Sequence, residues 1–170
     1  IDNFGNSHSQ HFYGRDAMAG VDKARKQVAD AIGALPNEIY FTASGTEADN
    51  WAIKGIANAK KNVGKHIIVS AIEHHAIINS AEWLSKNGFE VTFLPVDNYG
   101  VVKLDELEKA IRSDTVLVSV MYANNEVGTI EPIKEIVKIA KLSAARMLKR
   151  VEEKKQAEAS RIKSESECDT

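Results

Sequence analysis

Cysteine is almost missing from this sequence. Cys168 stands alone, which excludes an intramolecular disulfide framework and a cysteine-rich zinc site. No apolar run approaches the ~20 residues of a membrane-crossing helix, and no secretory signal opens the chain. The expected setting is cytoplasmic, with no membrane partner. Charge of one sign is missing too: 22 Lys and Arg against 24 Asp and Glu leave a net charge of −2, with no field to draw nucleic acid. Proline occurs three times in 170 residues. From Ser143 onward there is no glycine, proline or aromatic residue, only dense charge. Residues 1–142 therefore read as a globular part, and 143–170 as a charged helical tail, disordered toward its end. In that tail Met147, Leu148, Val151 and Ile162 are too sparse for a sustained heptad seam. What remains is ordinary: 44% hydrophobic and 27% charged, in a chain long enough to hide about 70% of its unfolded surface.

The globular part alternates helix and strand signals. Apolar positions Ala17, Val21, Ala24, Val28 and Ile32 predict a helix over 16–32 that ends at Gly33. The β-rich run Glu38-Ile39-Tyr40-Phe41-Thr42 predicts a strand. Helices are expected over 46–62, 76–87 and 105–111, and from 133 onward. Strands are expected over 66–70, 89–94 and 115–121. Strands separated by helices imply parallel pairing and a three-layer α/β fold with a mainly parallel sheet. The runs 67–69 and 116–120 are apolar on both faces and are expected to be the most buried strands. Ligands in such folds sit at the carboxyl ends of strands, which singles out the loops 43–46, 71–75 and 122–128.

In Thr42-Ala43-Ser44-Gly45-Thr46-Glu47, small residues open a helix whose N-terminus carries partial positive charge. The hydroxyls of Ser44 and Thr46 add donors, so the segment suits a phosphate. It lacks the Gly-Lys-Ser/Thr end of a P-loop, and an ordinary helix cap accounts for the same residues. The loop Ser70-Ala71-Ile72-Glu73-His74-His75 offers a histidine to stack on an aromatic ring or to move a proton near neutral pH. A helix-start histidine satisfied by backbone fits it equally well. Adjacent histidines with no third ligand at a defined spacing argue against a metal, and none is expected. Tyr122-Ala123-Asn124-Asn125-Glu126-Val127-Gly128 places two amides after a buried strand, where they suit either a ligand oxygen or a turn. An early polar segment, Phe4-Gly5-Asn6 with His11 and Gly14, specifies no mechanism by itself.

Taken in order, these segments resemble the cysteine desulfurases of iron–sulfur cluster assembly. Those are class V aminotransferases that depend on pyridoxal 5'-phosphate (PLP). Phe4-Gly5-Asn6 with His11 and Gly14 is similar to that family's early loop, and 41–50 to its phosphate-binding segment. Glu73-His74 matches the ring-stacking histidine, and 124–128 the strand-end motif. The likeness runs from about Phe4 to about Ala140 and implies part of a PLP-transferase large domain of fold type I. It further implies that Gly45 and Thr46 bind the cofactor phosphate, and that His74 stacks on the ring and exchanges protons with substrate. Asn125 would hydrogen-bond the ring's phenolic oxygen. The implied reaction takes sulfur from L-cysteine, leaving alanine and an enzyme persulfide. The implied partners are a sulfur-acceptor scaffold protein and a second copy in a homodimer.

The resemblance has gaps. The family's Schiff-base lysine lies in a Ser-x-His-Lys segment, and this chain has none; Lys65-His66 is the reverse order at a strand start. The family's acceptor cysteine does not correspond to Cys168, which sits among acids that would not lower its pKa. A truncated or frameshifted desulfurase would read this way. The isolated chain is therefore expected to be inactive, with a non-catalytic PLP-binding or protein-interaction remnant as the alternative.

Overall fold

The computed structural model describes residues 4–168. It divides into two compact units, Ile1–Ala43 and Ser44–Thr170.

In the first unit, helix α1 (Phe12–Ile32) starts at His11, whose Nδ1 accepts the Gly14 N–H at 3.3 Å. It ends on Gly33, at φ +69°, a left-handed cap that a side chain would strain. The loop before α1 lies directly against its first turn. A Cβ on Gly14 would fall 2.1 Å from the Ser9 carbonyl oxygen, and one on Gly5 would fall 2.0 Å from that of Tyr13. This close approach explains the two glycines of the early loop.

The strand expected over 38–42 does not form. Pro36–Glu38 is a 3₁₀ turn, closed by the Leu35 N–H donating to Glu38 Oε2 at 2.7 Å. Arg25 Nε of α1 then donates to the Ile39 carbonyl at 3.2 Å. A β-rich composition needs a neighbouring strand to become a strand, and here a helix side chain takes the carbonyl instead.

The second unit holds α2 (Gly45–Lys60), β1 (His66–Ser70), α3 (His75–Lys86), β2 (Glu90–Leu94), α4 (Leu104–Ala110), β3 (Thr115–Ser119) and α5 (Ile133–Cys168). Its three strands are all parallel in the order β2-β1-β3, with Ile67 opposite both Val91 and Leu117. All five residues of β1 are buried. Alternation along β1 builds two cores. Ile67 and Val69 pack with Ile53 and Ala57 of α2 and with Ile77, Ala81 and Leu84 of α3. Ile68 packs on the other face with Leu94, Val102, Leu107 of α4 and Ile136 of α5. The result is the expected helix–sheet–helix sandwich, with each fully buried aliphatic side chain worth about 1.5–3 kcal/mol.

One expectation needs correction. β3 is an edge strand, half-buried throughout rather than fully covered like β1, while the other edge strand β2 has two exposed residues. It pairs with β1 alone among the described residues, and its other side faces a groove lined by Ile56, Val116, Val118, Ala140, Ala144 and Met147. The helix expected from 133 onward forms as α5 and continues through 142/143, pinned to α4 by Arg146 Nη1 donating to Glu108 Oε1 at 2.9 Å. The readings for the Cys168 side chain, and for disorder at the end of the tail, lie outside the described residues.

Candidate functional site

Two of the three loops marked from sequence, 71–75 and 122–128, follow the carboxyl ends of parallel strands β1 and β3, whereas 43–46 follows no strand among the described residues and leads into α2. β1 runs out at Ser70. The Ala71 N–H donates to the Leu94 carbonyl of β2 at 3.0 Å, and the chain turns through Ile72 and Glu73 into α3. His74 is the N-cap of α3, in extended conformation, with its Nδ1 accepting the Ala76 N–H at 3.1 Å. That bond settles the tautomer of the neutral ring. Nδ1 is the acceptor, so in the neutral ring the proton sits on Nε2, which remains as a hydrogen-bond donor.

β3 ends at Ser119, and 122–128 forms a tight turn. Asn124 organises it: its Oδ1 accepts the N–H groups of Glu126 at 2.8 Å and Val127 at 2.9 Å. The turn closes at Gly128, φ +78°. The Asn124 amide nitrogen reaches across to donate to the Ile72 carbonyl at 2.8 Å. Of the two amides, Asn124 is thus committed to structure. Asn125 beside it is exposed, and no protein group bonds its side chain among the described residues.

These two loops enclose a cavity of about 300 Å³ lined by Ile72, Glu73, His74, Asn124, Asn125 and Val127, with neighbours from the same loops. The structure therefore brings His74 and Asn125 to one place. Gly45 and Thr46 do not line this cavity. They form the first turn of α2 after Ser44, whose Oγ accepts the Glu47 N–H at 3.2 Å. α2 packs on α3, and Ser80 of α3 donates to Asn50 Oδ1 at 2.9 Å. Gly45 has open space where a side chain would stand: an added Cβ meets nothing within 4 Å. Its φ is not left-handed, so neither backbone nor packing requires glycine there.

Glu73 shows what sequence reasoning missed. Its Oε1 accepts the Ser70 hydroxyl at 2.9 Å and the Met121 N–H at 2.5 Å. Burial pushes its carboxyl above the ordinary carboxylate range, against the pull of those two hydrogen bonds. The charges of Asp49 and Glu131 push the same way. Glu131 is a second surprise, only 3% exposed. Its Oε2 accepts the Val102 N–H at 3.0 Å, while Oε1 is buried with no hydrogen-bond partner among the described residues. No sequence signal marks Glu131, because an acid before Pro132 reads as solvated turn. Among the described residues no group of acids, histidines and cysteines could hold a metal ion, and no helix is long and apolar enough to cross a membrane.

The profile of the Aminotransferase class-V family matches residues 2–149. The cysteine desulfurase IscS of Methanosarcina thermophila is 60% identical over 140 residues, covering 82% of this chain and 35% of that protein. The mitochondrial cysteine desulfurase of Candida albicans is 50% identical over 139 residues, covering 81% of this chain and 28% of that protein. Among solved structures, a NifS-like protein superposes with a TM-score of 0.81 at 44% identity, covering 84% of this chain and 39% of that one. SspA in complex with cysteine superposes at 0.77 and 37% identity, covering 82% and 40%. The chain thus spans about a third of the length of the curated relatives it matches. A family match across most of its residues, carried on the same parallel α/β fold, places this chain in the class-V aminotransferase family, among relatives that are cysteine desulfurases.

Proposed function

We propose that this chain supplies the phosphate-binding and ring-facing part of a PLP-dependent cysteine desulfurase. The observation that carries the reading is the shared cavity of His74 and Asn125, two residues far apart in sequence that the resemblance assigns to one cofactor. The donor set fits such a group. The first turn of α2 presents backbone N–H groups that have no intrahelical acceptor, beside the Thr46 hydroxyl and the open space at Gly45. An anion is favoured there by the helix dipole. His74, held by its cap bond, offers a ring face and the Nε2 proton. Asn125 offers an unengaged amide to a phenolic oxygen. When bound, PLP supplies an electron sink for the carbon bonds of an amino-acid substrate. L-cysteine is the substrate in this reading, and the solved relative SspA binds cysteine. The products are alanine and a persulfide passed to an acceptor scaffold protein, in a cytoplasmic homodimer.

Among the described residues no lysine lines the cavity, and this favours a second reading for the chain by itself: non-covalent PLP binding without turnover. The test is a PLP titration of the chain, then borohydride reduction with mass mapping of labelled lysines and an assay for alanine from L-cysteine. Expected are saturable binding, no stoichiometric label and no alanine. Thr46→Ala and Gly45→Ala should weaken binding, the latter without loss of stability because its Cβ meets nothing. Absence of PLP binding would overturn the cofactor assignment. A single labelled lysine with alanine production would overturn the inactive reading.

A further inference from the structure

We propose that Glu73 is the positioning residue that ties the His74 wall of the cavity to the Asn125 wall. This rests on the reading of that cavity as the cofactor site.

The β1–β3 pairing ends at Val69 opposite Ser119. Beyond it, among the described residues, no backbone hydrogen bond joins 70–75 to 120–127. Two side chains make the connection instead. Glu73 Oε1 accepts the Met121 N–H, and the Asn124 amide donates to the Ile72 carbonyl. Glu73 thus supplies, from a side chain, the acceptor that the next backbone carbonyl of a ladder would have supplied. The Ser70 hydroxyl donates to the same oxygen and holds it in place. Because Glu73 is covalently next to His74, and Met121 lies a short turn before Asn125, this one oxygen sets the spacing between the two groups that would face a ligand.

A rival account exists. An acid just ahead of the N-terminus of α3 could act only by complementing the helix dipole. The two accounts separate cleanly. The dipole needs the charge, whereas the tether needs only an acceptor oxygen in the right place, which glutamine keeps and leucine lacks. Burial opposes the charge of Glu73, which also favours the acceptor role.

The experiment compares the parent chain with Glu73→Gln and Glu73→Leu, using amide hydrogen exchange at Met121 and PLP binding followed by fluorescence. Thr92→Val, which removes the hydroxyl that His66 Nε2 meets and touches neither cavity loop, serves as a destabilised control. In the parent, the Met121 amide should be protected although it lies past the end of β3. Glu73→Leu should speed its exchange about tenfold and weaken PLP binding about tenfold, as expected for a half-buried N–H that loses its acceptor. Glu73→Gln should stay within about twofold of the parent in both, because the amide oxygen still accepts. Thr92→Val should lower the melting temperature without weakening PLP binding.

Loss in the glutamine variant equal to that in leucine would overturn the proposal in favour of the dipole. A parent Met121 amide that exchanges like the exposed loop amides would overturn it without any variant, so a misfolded leucine variant does not protect the idea. If the parent binds no PLP, the cofactor reading falls, and the exchange measurements still decide whether Glu73 is the tether.

Discussion

His66 opens the central strand at zero exposure, with a titratable ring in the middle of the sheet. Its Nδ1 lies 2.7 Å from Thr115 Oγ1 on β3, and its Nε2 lies 2.8 Å from Thr92 Oγ1 on β2. One imidazole therefore links all three strands at the end opposite the cavity. His66→Ala removes two part-buried hydrogen bonds, each worth about 1 kcal/mol net, and leaves the Thr92 hydroxyl to find a new partner while Thr115 Oγ1 keeps the Arg112 N–H. It also empties the volume of the ring. Together these give a loss of roughly 2–4 kcal/mol, or about 5–15 °C in melting temperature for a chain of this size.

The pH dependence follows from the same burial. Desolvation, then the nearby Arg112 cation, hold the His66 pKa below its ordinary value, over the opposing pull of Asp114 and Glu90. A histidine depressed in the fold stays neutral while the unfolded chain takes up a proton. Stability therefore falls as pH drops through the ordinary histidine range, about pH 6.5. Glu73 works in the other direction, since its pKa is raised: its contribution is present at acid pH and is lost as pH rises through its folded value. The His66 share is isolated by subtraction. Urea denaturation of parent and His66→Ala at pH 7.5 and 5.5 should show a stability gap that narrows at the lower pH. A gap below about 1 kcal/mol at pH 7.5 would refute the hydrogen-bond argument, and a gap that widens on acidification would refute the assigned direction of the shift.

Ile67, at zero exposure in the core between the sheet and α2/α3, should cost about 2–5 kcal/mol as Ile67→Ala, read from the urea midpoint at unchanged slope. Gly128, at φ +78°, closes the turn that carries Asn125. Gly128→Ala should cost about 1–2 kcal/mol of local strain, since a Cβ is disfavoured in that conformation. The change should weaken PLP binding more than it lowers the melting temperature.

Much of this architecture is carried by local pattern. β1 is apolar at Ile67, Ile68 and Val69, so it had to be covered on both faces, and only a central parallel strand between helices does that. The loops after such strands are ligand positions for the same geometric reason, and a histidine-bearing loop and a two-amide loop stand at two of them; the resemblance picks out His74 and Asn125 themselves. The order of motifs along the chain pointed to the family without any coordinates. Other features depend on what stands beside a residue, which no local pattern records. The run 38–42 has strand composition, yet Arg25 takes the Ile39 carbonyl and no ladder forms. β3 is as apolar as β1, but pairing on one side leaves it half-buried. Asn124 and Asn125 are chemically identical neighbours. Only the position of the Ile72 carbonyl commits the first to the turn and leaves the second facing the cavity. Glu73 and Glu131 look like surface acids in sequence. Burial turns both into acceptors for backbone N–H groups far along the chain, because a buried N–H must find a partner wherever the fold supplies one.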